Sequence, residues 1–349
     1  MNLRAIVYAL LSALLFGLST PAAKRLLGSV DPITLAGLLY CGAGIGVAIL
    51  RIAPAFSAQP VRASGIGRAE FPWLLGAITA GGVIGPLLLL FGLARTDATA
   101  ASLLLTFESA ATALLARFLF REHYDWRLAF GMALLVAGAM TLAWEGTPML
   151  AVGLGPLLIV AACLAWGIDN NLTRKIALSD PLQIVVLKGL IAGPFNLALA
   201  FWVGAALPTV PILLGALLVG FLGYGVSLVL FVVALRELGA ARTSAYFAVA
   251  PFFGAAAAVL LLAEPLSARL LLAGALMAVG VWLHLTERHE HLHVHEPMEH
   301  EHLHVHDEHH LHVHEPTDPP GEPHSHQHRH AWLKHSHPHV PDAHHQHRH

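Results

Sequence analysis

The stretch FGLSTPAAKR at residues 16–25 recurs as WGIDNNLTRK at residues 166–175. Both copies place an aromatic residue before a glycine and end on two basic residues. An Asp-Pro pair follows each copy, at Asp31-Pro32 and at Asp180-Pro181. Each copy also opens a long apolar stretch with about the same number of hydrophobic runs. The order of these features indicates an internal duplication.

Further matches run in the same order along both halves. LLGA at residues 74–77 recurs at residues 213–216. At a constant offset of 142, three residues of the first half match three of the second: Ser102 with Ser244, Glu122 with Glu264, and Gly138 with Gly280. A duplicated, almost wholly apolar chain is typical of membrane transporters.

The composition separates a membrane body from a water-soluble tail. The chain has 349 residues, of which 56% are hydrophobic and 12% are charged, against about 25% charged in soluble domains. Residues 288–349 hold ten of the Asp and Glu residues and 23 of the 25 histidines. Cys41 and Cys163 lie apart in apolar runs, so a disulfide scaffold or a cysteine zinc site is not expected.

A membrane-spanning helix needs about 20 mostly apolar residues, and ten such runs predict an all-α integral membrane protein. We divide the chain into a first five-helix repeat (1–145), a second (146–287) and a tail (288–349). Five spans per copy invert the second repeat relative to the first. Eleven Lys and Arg residues on one side against four on the other predict cytoplasmic termini. The expected location is a bacterial-type inner or plasma membrane, with an uncleaved first span.

At these residues the chain resembles the EamA family of the drug/metabolite transporter superfamily, over about residues 4–286. The resemblance is carried by the aromatic-glycine and basic pairs and by the hairpin ARFLFRE at 116–122, whose partner is LLLAE at 260–264. It implies an inverted-repeat carrier with a central cavity that moves small organic solutes by alternating access. Two departures stand out. Phe16 replaces the usual Trp, and Glu108-Ser109 replaces an apolar residue and Pro, which the second repeat keeps as Pro251.

Glu108 is the first candidate for a coupling or substrate residue. It lies eleven residues into the fourth predicted span, near the membrane midplane. A charged carboxylate there costs several kcal/mol, so Glu108 is expected to be protonated, paired or facing water. The alternative is a protonated Glu108 that only forms a hydrogen bond between helices. The residue at the matching position of the second repeat is Ala250.

The sixth span ends on further polar candidates, Asp169 and Asn170, whose matching region in the first span holds Ser19 and Thr20. These side chains either line a cavity mouth or cap the helix and pair locally with the following arginine. Tyr224 and Tyr246 are two more possible polar groups of a cavity. Lys188, in the seventh span, is expected to extend towards the membrane interface.

Glycine and proline interrupt the third and eighth spans at corresponding positions, which points to a transporter site or to close helix packing. The hinge candidates are Pro21, Gly81, Gly82, Pro86, Gly220, Gly223 and Pro251.

The tail repeats His-Leu-His-Val-His three times without apolar periodicity, and it is predicted to be disordered. Imidazole suits Zn²⁺, Ni²⁺, Co²⁺ and Cu²⁺, so the tail is expected to bind such ions without being a required cofactor site. Its candidate ligands are His291, His293, His295, His302, His304, His306, His310, His312 and His314.

These observations predict a secondary active transporter in the lipid bilayer that moves a metabolite, an amino acid-like compound or a drug, driven by exchange or a proton gradient. No nucleotide-binding loop, nucleophile motif or metalloprotease motif is present, so neither a primary pump nor an enzyme is expected, and nothing indicates nucleic-acid binding. The alternative is a divalent transition-metal transporter, or a membrane-bound metal sensor, that uses the tail.

Overall fold

The structure is a computed structural model. It describes residues 3–52, 67, 70–120, 126–143, 153–176, 180–238, 243, 246–285, 289–295, 298–304, 324–330 and 333–339. The chain divides into a helical body, which includes residues 1–287, and a separate unit at residues 288–341.

The body is built of thirteen α-helices and two π-helical segments among the described residues. The first half holds α1 (Leu3–Leu26), α2 (Pro32–Ile52), α3 (Phe71–Ala77), a first π segment (Ile78–Ile84), α4 (Gly85–Leu93), α5 (Ala98–Leu104), α6 (Phe107–Phe120) and α7 (Trp126–Ala143). The second half holds α8 (Leu154–Arg174), α9 (Pro181–Trp202), α10 (Val210–Gly220), a second π segment (Phe221–Val226), α11 (Ser227–Leu238), α12 (Ala250–Leu262) and α13 (Ala268–Leu285).

Six of the described helical runs are long and apolar enough to cross a membrane. They are Leu3–Leu26, Pro32–Arg51, Phe71–Leu93, Leu154–Thr173, Leu182–Trp202 and Val210–Ala234. Three shorter apolar helices cover Ala129–Leu142, Ala250–Leu262 and Ala268–Leu283. The chain is therefore a multi-pass membrane protein, while the count of ten spans stays a prediction.

The two halves pack with two-fold correspondence. A methyl group added at Gly138 of α7 would lie 2.7 Å from Met277 of α13, and one added at Gly280 would lie 3.0 Å from Leu135. Gly138 matches Gly280 and Leu135 matches Met277, both at the offset of 142 residues. The first helices of the two repeats also have equivalent partners. Helix α1 packs on α11 and α12 of the second half, and α8 packs on the matching helices α4 and α6 of the first half. The repeated glycines therefore mark equivalent close contacts.

Both third helices of the repeats change to π-helical geometry at their centres, at Ile78–Ile84 and at Phe221–Val226. π-helical turns are rare and occur often at functional sites. The first segment contains Gly81 and Gly82, and the second contains Gly223, while Gly220 is the last residue of α10. The glycines allow close packing there, because a methyl group at Gly82 would lie 2.7 Å from Ala192 of α9.

In the tail the prediction of disorder differs from the structure, which forms two two-stranded antiparallel sheets. Strand β1 (His289–His295) pairs with β4 (Leu333–His339), and β2 (Met298–His304) pairs with β3 (His324–His330). Histidine alternates with other residues in these stretches, and a period of two suits a strand. A search for apolar periodicity misses such a pattern because the repeated residue is polar.

Candidate functional site

The repeated aromatic-glycine motif sets two equivalent helix contacts. Gly17 of α1 lies against the backbone of α12 at Ala250 and Gly254. Gly167 of α8 lies against the backbone of α6, where a methyl group would be 3.1 Å from the Ala111 carbonyl carbon. The absence of a side chain therefore lets α8 approach α6 within reach of polar side chains on both helices.

A polar cluster bridges α6 and α8 at this contact. The Asn170 amide donates to Glu108 Oε1 at 3.0 Å and lies 3.1 Å from Thr112 Oγ1. The Asn171 amide donates to the carbonyls of Thr112 at 3.1 Å and of Gly167 at 2.8 Å. Glu108 lies in the first turn of α6 and is half-buried. The acid and the amide predicted separately from the sequence are thus direct partners.

Asn170 is exposed on the inner side of α8. The outer face of this helix presents Leu157, Leu164 and Ile168, each at least 41% exposed. At about 100° per residue, Asn170 lies roughly 200° from Ile168, on the same side as the buried Trp166. Its exposed side chain is therefore turned away from the lipid-facing stripe and towards a space between helices.

A buried ion pair lies beside this cluster. Lys188 Nζ of α9 lies 2.5 and 2.7 Å from the two carboxylate oxygens of Asp169, and their side chains are only 16% and 9% exposed. The Thr173 hydroxyl donates to Asp169 at 3.0 Å. Asp169 also packs on the first π segment, where a methyl group at Gly81 would clash with it. The expectation that Lys188 extends to the interface is wrong, because this carboxylate holds its ammonium group inside the body.

The charges of the site belong to one side of the pseudo-symmetric body. By the offsets of the repeat, the matching residues are Ala250 for Glu108, Ser19 for Asp169, Thr20 for Asn170 and Leu39 for Lys188. All four are neutral, and Ala250, Ser19, Thr20 and Leu39 are buried. The equivalent positions are therefore packed without charged side chains. The repeated scaffold itself does not require Glu108 or the Asp169–Lys188 ion pair.

Aromatic rings from α1, α2 and the second π segment meet in the helical body. Tyr224, in the second π segment, has its ring 5.9 Å from Phe16 of α1 and 5.9 Å from Tyr40 of α2. Phe16 also packs on Phe247 at 5.4 Å. The Tyr40 hydroxyl donates to the Gly81 carbonyl, so these rings lie beside the first π segment.

Side chains from three helices hold the first π segment. The Tyr40 hydroxyl and the Trp166 indole N–H both donate to the Gly81 carbonyl, at 2.5 and 3.0 Å. The Asn196 amide donates to the Gly82 carbonyl at 3.0 Å. Buried backbone carbonyls need such partners where regular α-helical bonding is interrupted. Trp166 thus connects the segment to the helix that carries Asp169 and Asn170.

The other predicted site residues take varied positions. Ser19 donates to the Phe16 carbonyl at 2.6 Å and interacts with Tyr224, while Thr20 is buried in α1. Tyr246 is half-buried ahead of α12, and no contact described for it joins it to the central cluster.

The hinge candidates lie at helix irregularities, with one exception. Pro21 sits inside α1 without ending it. The others lie in the π segments, at the helix ends beside those segments, or at the start of α12: Gly81, Gly82, Pro86, Gly220, Gly223 and Pro251.

Two further charged residues of the repeated motifs, Lys24 and Glu264, bind helix ends. The Lys24 ammonium donates to the carbonyls of Leu93 at 2.7 Å and Thr96 at 2.8 Å, beyond the end of α4. Glu264 accepts from the backbone N–H groups of Ala98 and Thr99 at 2.7 Å each, at the start of α5. These contacts place Lys24 and Glu264 at helix ends rather than in the polar cluster.

Sequence reasoning missed Thr112, Tyr40 and the role of Lys188. For Lys188 a signal was available, because an ammonium group stands where the first repeat has Leu39. Thr112 and Tyr40 carry no such signal. Hydroxyl groups are common in membrane helices, and only the rotation of α2 and α6 brings these two into the site.

Comparison with known proteins gives three findings. The EamA-like transporter family matches residues 3–144 and 153–286. A protein of Methanothermobacter thermautotrophicus, described as an uncharacterized transporter, is 31% identical over 288 residues, which cover 78% of this chain and 83% of that protein. A solved structure titled only as a crystal structure of a protein superposes with a TM-score of 0.59 at 18% identity, over 80% of this chain and 96% of the other. This last likeness concerns the fold alone.

Proposed function

Because the chain belongs to the EamA-like transporter family and is a membrane transporter of small solutes, we propose that it is a secondary active transporter coupled to protons through Glu108. Alternating access would carry a small organic solute past this residue. The observation that carries the proposal is the Glu108–Asn170 pair at the α6–α8 contact, beside the interior face on which Asn170 is exposed.

The setting of Glu108 supports a role in coupling. An ionisable residue inside a membrane protein is costly and is by default a functional one. Glu108 follows a break between α5 and α6 at residues 105–106, and Ala248 and Val249 break the helical run before α12 at the matching place. Because the second repeat has Ala250 there, the break does not depend on the acid. Glu108 is thus an addition to a hinge that both repeats share.

The topology proposed for this function has ten spans in two inverted five-helix repeats, with both termini in the cytoplasm. The two-fold exchange of helix contacts supports the repeat, and the odd number of spans supplies the inversion. We assign the hinge motion to the two π segments, since they lie at equivalent positions and the first contacts α8 and α9, which carry Asn170, Asp169 and Lys188.

We expect Glu108→Gln to abolish proton movement that depends on solute, because the amide cannot take up and release a proton. The measurement uses full-length protein in proteoliposomes that hold a pH-sensitive dye. Amino acids, organic amines, nucleosides and sugars are added in turn, and the internal pH is followed after each addition.

The matched control is Ser109→Ala, one residue further along α6. The Ser109 hydroxyl donates only locally, to the Thr106 carbonyl at 2.9 Å, so this variant should keep the wild-type response. Proton movement of wild-type size in Glu108→Gln would remove Glu108 from the coupling mechanism.

We also propose that the tail binds transition-metal ions, as a buffer or sensor separate from the carrier. The backbone register supports this, because histidines stand directly opposite one another and share a face of the sheet. Six such pairs occur, four of which contain a candidate ligand: His291 with His337, His293 with His335, His302 with His326 and His304 with His324. The candidate His295 stands opposite Leu333, and His306, His310, His312 and His314 lie outside the described residues.

Zinc titration tests the tail. We expect the intact chain to bind several Zn²⁺ ions and a chain without residues 288–349 to lose most of that capacity while it keeps solute transport. Equal zinc binding by both chains would contradict the proposal. Within the described part of the body no group of three His, Cys, Asp or Glu side chains is placed to hold a metal ion, and zinc flux measured in the same liposomes tests a metal cargo directly.

A further inference from the structure

We infer that the tail binds its metal ions between two arms, in two sites of four histidines each, and that this binding closes the tail into one β-ribbon. The first arm consists of β1 and β2, and the second arm consists of β3 and β4. The inference deepens the metal binding proposed for the tail and rests on it. One site is formed by His291, His293, His335 and His337, and the other by His302, His304, His324 and His326.

A single register runs through both sheets of the tail. His295 of β1 pairs with Leu333 of β4, and Met298 of β2 pairs with His330 of β3. From one pair to the next, the first arm advances by three residues and the second arm goes back by three. The two sheets are therefore consecutive parts of one antiparallel hairpin. Every histidine pair in it joins parts of the chain that lie far apart in the sequence.

The register places the histidines of both arms on the same face of each sheet. Alternate residues of a strand share a face, and the pairs follow one another at steps of two, with His289–His339 and His300–His328 continuing the two rows. A shift by one residue would move one arm's histidines to the other face. The four-histidine sites thus depend on how the arms pair, which the His-x-His spacing within one arm does not specify.

The spacing of these positions suits a transition-metal ion. Directly opposite residues of an antiparallel pair have Cβ atoms about 4.5–5.5 Å apart, and diagonal neighbours at about 7–8 Å are within reach of aromatic and long side chains. Two adjacent pairs therefore supply four imidazoles to one ion, the ligand number that Zn²⁺ takes in structural sites. Imidazole also suits Ni²⁺ and Cu²⁺. Mg²⁺ and Ca²⁺ take oxygen ligands, so they should not compete for these sites.

The ribbon has few other sources of stability. A two-stranded hairpin is marginally stable in water, and the faces opposite the histidine rows hold three large aliphatic residues in the described strands, Leu292, Val294 and Leu303. An ion that binds the closed ribbon more tightly than the open chain stabilises the closed form, so metal binding and folding are coupled. The shape of the tail then reports the metal concentration, as a sensor requires.

The test exchanges neighbouring residues, so that composition stays constant while the faces change. The β1 variant carries His291→Leu, Leu292→His, His293→Val and Val294→His. The β4 variant carries Lys334→His, His335→Lys, Ser336→His and His337→Ser. Each variant keeps the number of histidines and a His-x-His step, but it moves two histidines to the other face. The combined variant places positions 292 and 294 opposite positions 336 and 334, which restores two histidine pairs.

The measurement uses full-length protein in detergent, with Zn²⁺ titrated against a chromophoric chelator. We expect the wild-type chain to hold two ions more tightly than the rest, one for each sheet. The β1 and β4 variants should each bind one of these ions about tenfold more weakly or worse, equivalent to about 1.4 kcal/mol. The combined variant should recover it. Co²⁺ absorption spectra should show the same loss and recovery of a four-nitrogen site, and excess Mg²⁺ should displace neither ion.

Binding along a single arm predicts a different result, namely the same number of tightly bound ions in all four chains. That result would overturn the inference, and so would a combined variant that binds as weakly as the single-arm variants. Loss of zinc capacity on removal of residues 288–349 would then still support metal binding by the tail. Equal zinc binding by the intact and shortened chains would contradict both.

Discussion

Replacement of Lys188 by methionine should lower the free energy of unfolding by about 3–5 kcal/mol, the usual effect of removing one partner of a buried ion pair. The substitution leaves the Asp169 carboxylate buried, 9% exposed, with Thr173 as its one remaining hydrogen-bond partner among the described residues. Methionine keeps most of the side-chain volume, so the loss reports the missing charge rather than a cavity. The measurement is denaturant-induced unfolding in detergent, with wild-type protein in parallel.

The first repeat supplies the control for this prediction. The double variant Asp169→Ser with Lys188→Leu installs the residues found at positions 19 and 39. Because no charge is left unpaired, we expect it to recover most of the stability lost in Lys188→Met. A double variant as unstable as the single one would show that the fold needs the ion pair, and the asymmetric charges would then no longer indicate function.

The second large effect is expected at the crossing of α2 and α9. A methyl group at Gly189 would lie 2.5 Å from the Gly44 Cα and 2.7 Å from the Tyr40 carbonyl oxygen. Both are backbone atoms, so the helices must move apart. We expect Gly189→Ala to destabilise the protein by about 1–3 kcal/mol, as overpacking does. The same unfolding measurement checks it, and solute transport should fall because Tyr40 also holds the first π segment.

Gly215→Ala is the matched control, since it adds the same methyl group inside another helix, α10. That methyl group would meet only the flexible end of Leu26, at 3.7 Å. Alanine is also the better helix former by about 1 kcal/mol, so this variant should be neutral or stabilising. Equal losses in both variants would mean that the cost arises from glycine replacement in general rather than from the α2–α9 contact.

Much of the helical body follows from the sequence, because long apolar runs have few options in a membrane. Six of the ten predicted spans correspond to described helical runs that are long and apolar enough to cross a membrane. The glycines of the third and eighth spans lie in the two π segments or, for Gly220, directly before the second. These features depend on length and local composition, which a sequence states directly.

The site was less predictable, as Lys188 shows. It lies 19 residues after Asp169 and on the next helix, and nothing local distinguishes an inward lysine from one that extends to the interface. Asn170 and Glu108 were each selected, but as separate candidates 62 residues apart. Their pairing depends on the approach of α8 to α6 at Gly167, which no single stretch of the chain reveals.

By itself the sequence determined a duplicated helical membrane protein and the place where its halves differ, Glu108 against Ala250. Both are properties of composition and of order along the chain. Only the tertiary structure decided that Asp169, Asn170 and Lys188 join that difference on one side of the body. The reason is physical: lipid tails are as apolar as leucine. Apolar periodicity therefore does not separate the lipid-facing side of a helix from its packed side, and the rotation of each helix is fixed only by its contacts with the others.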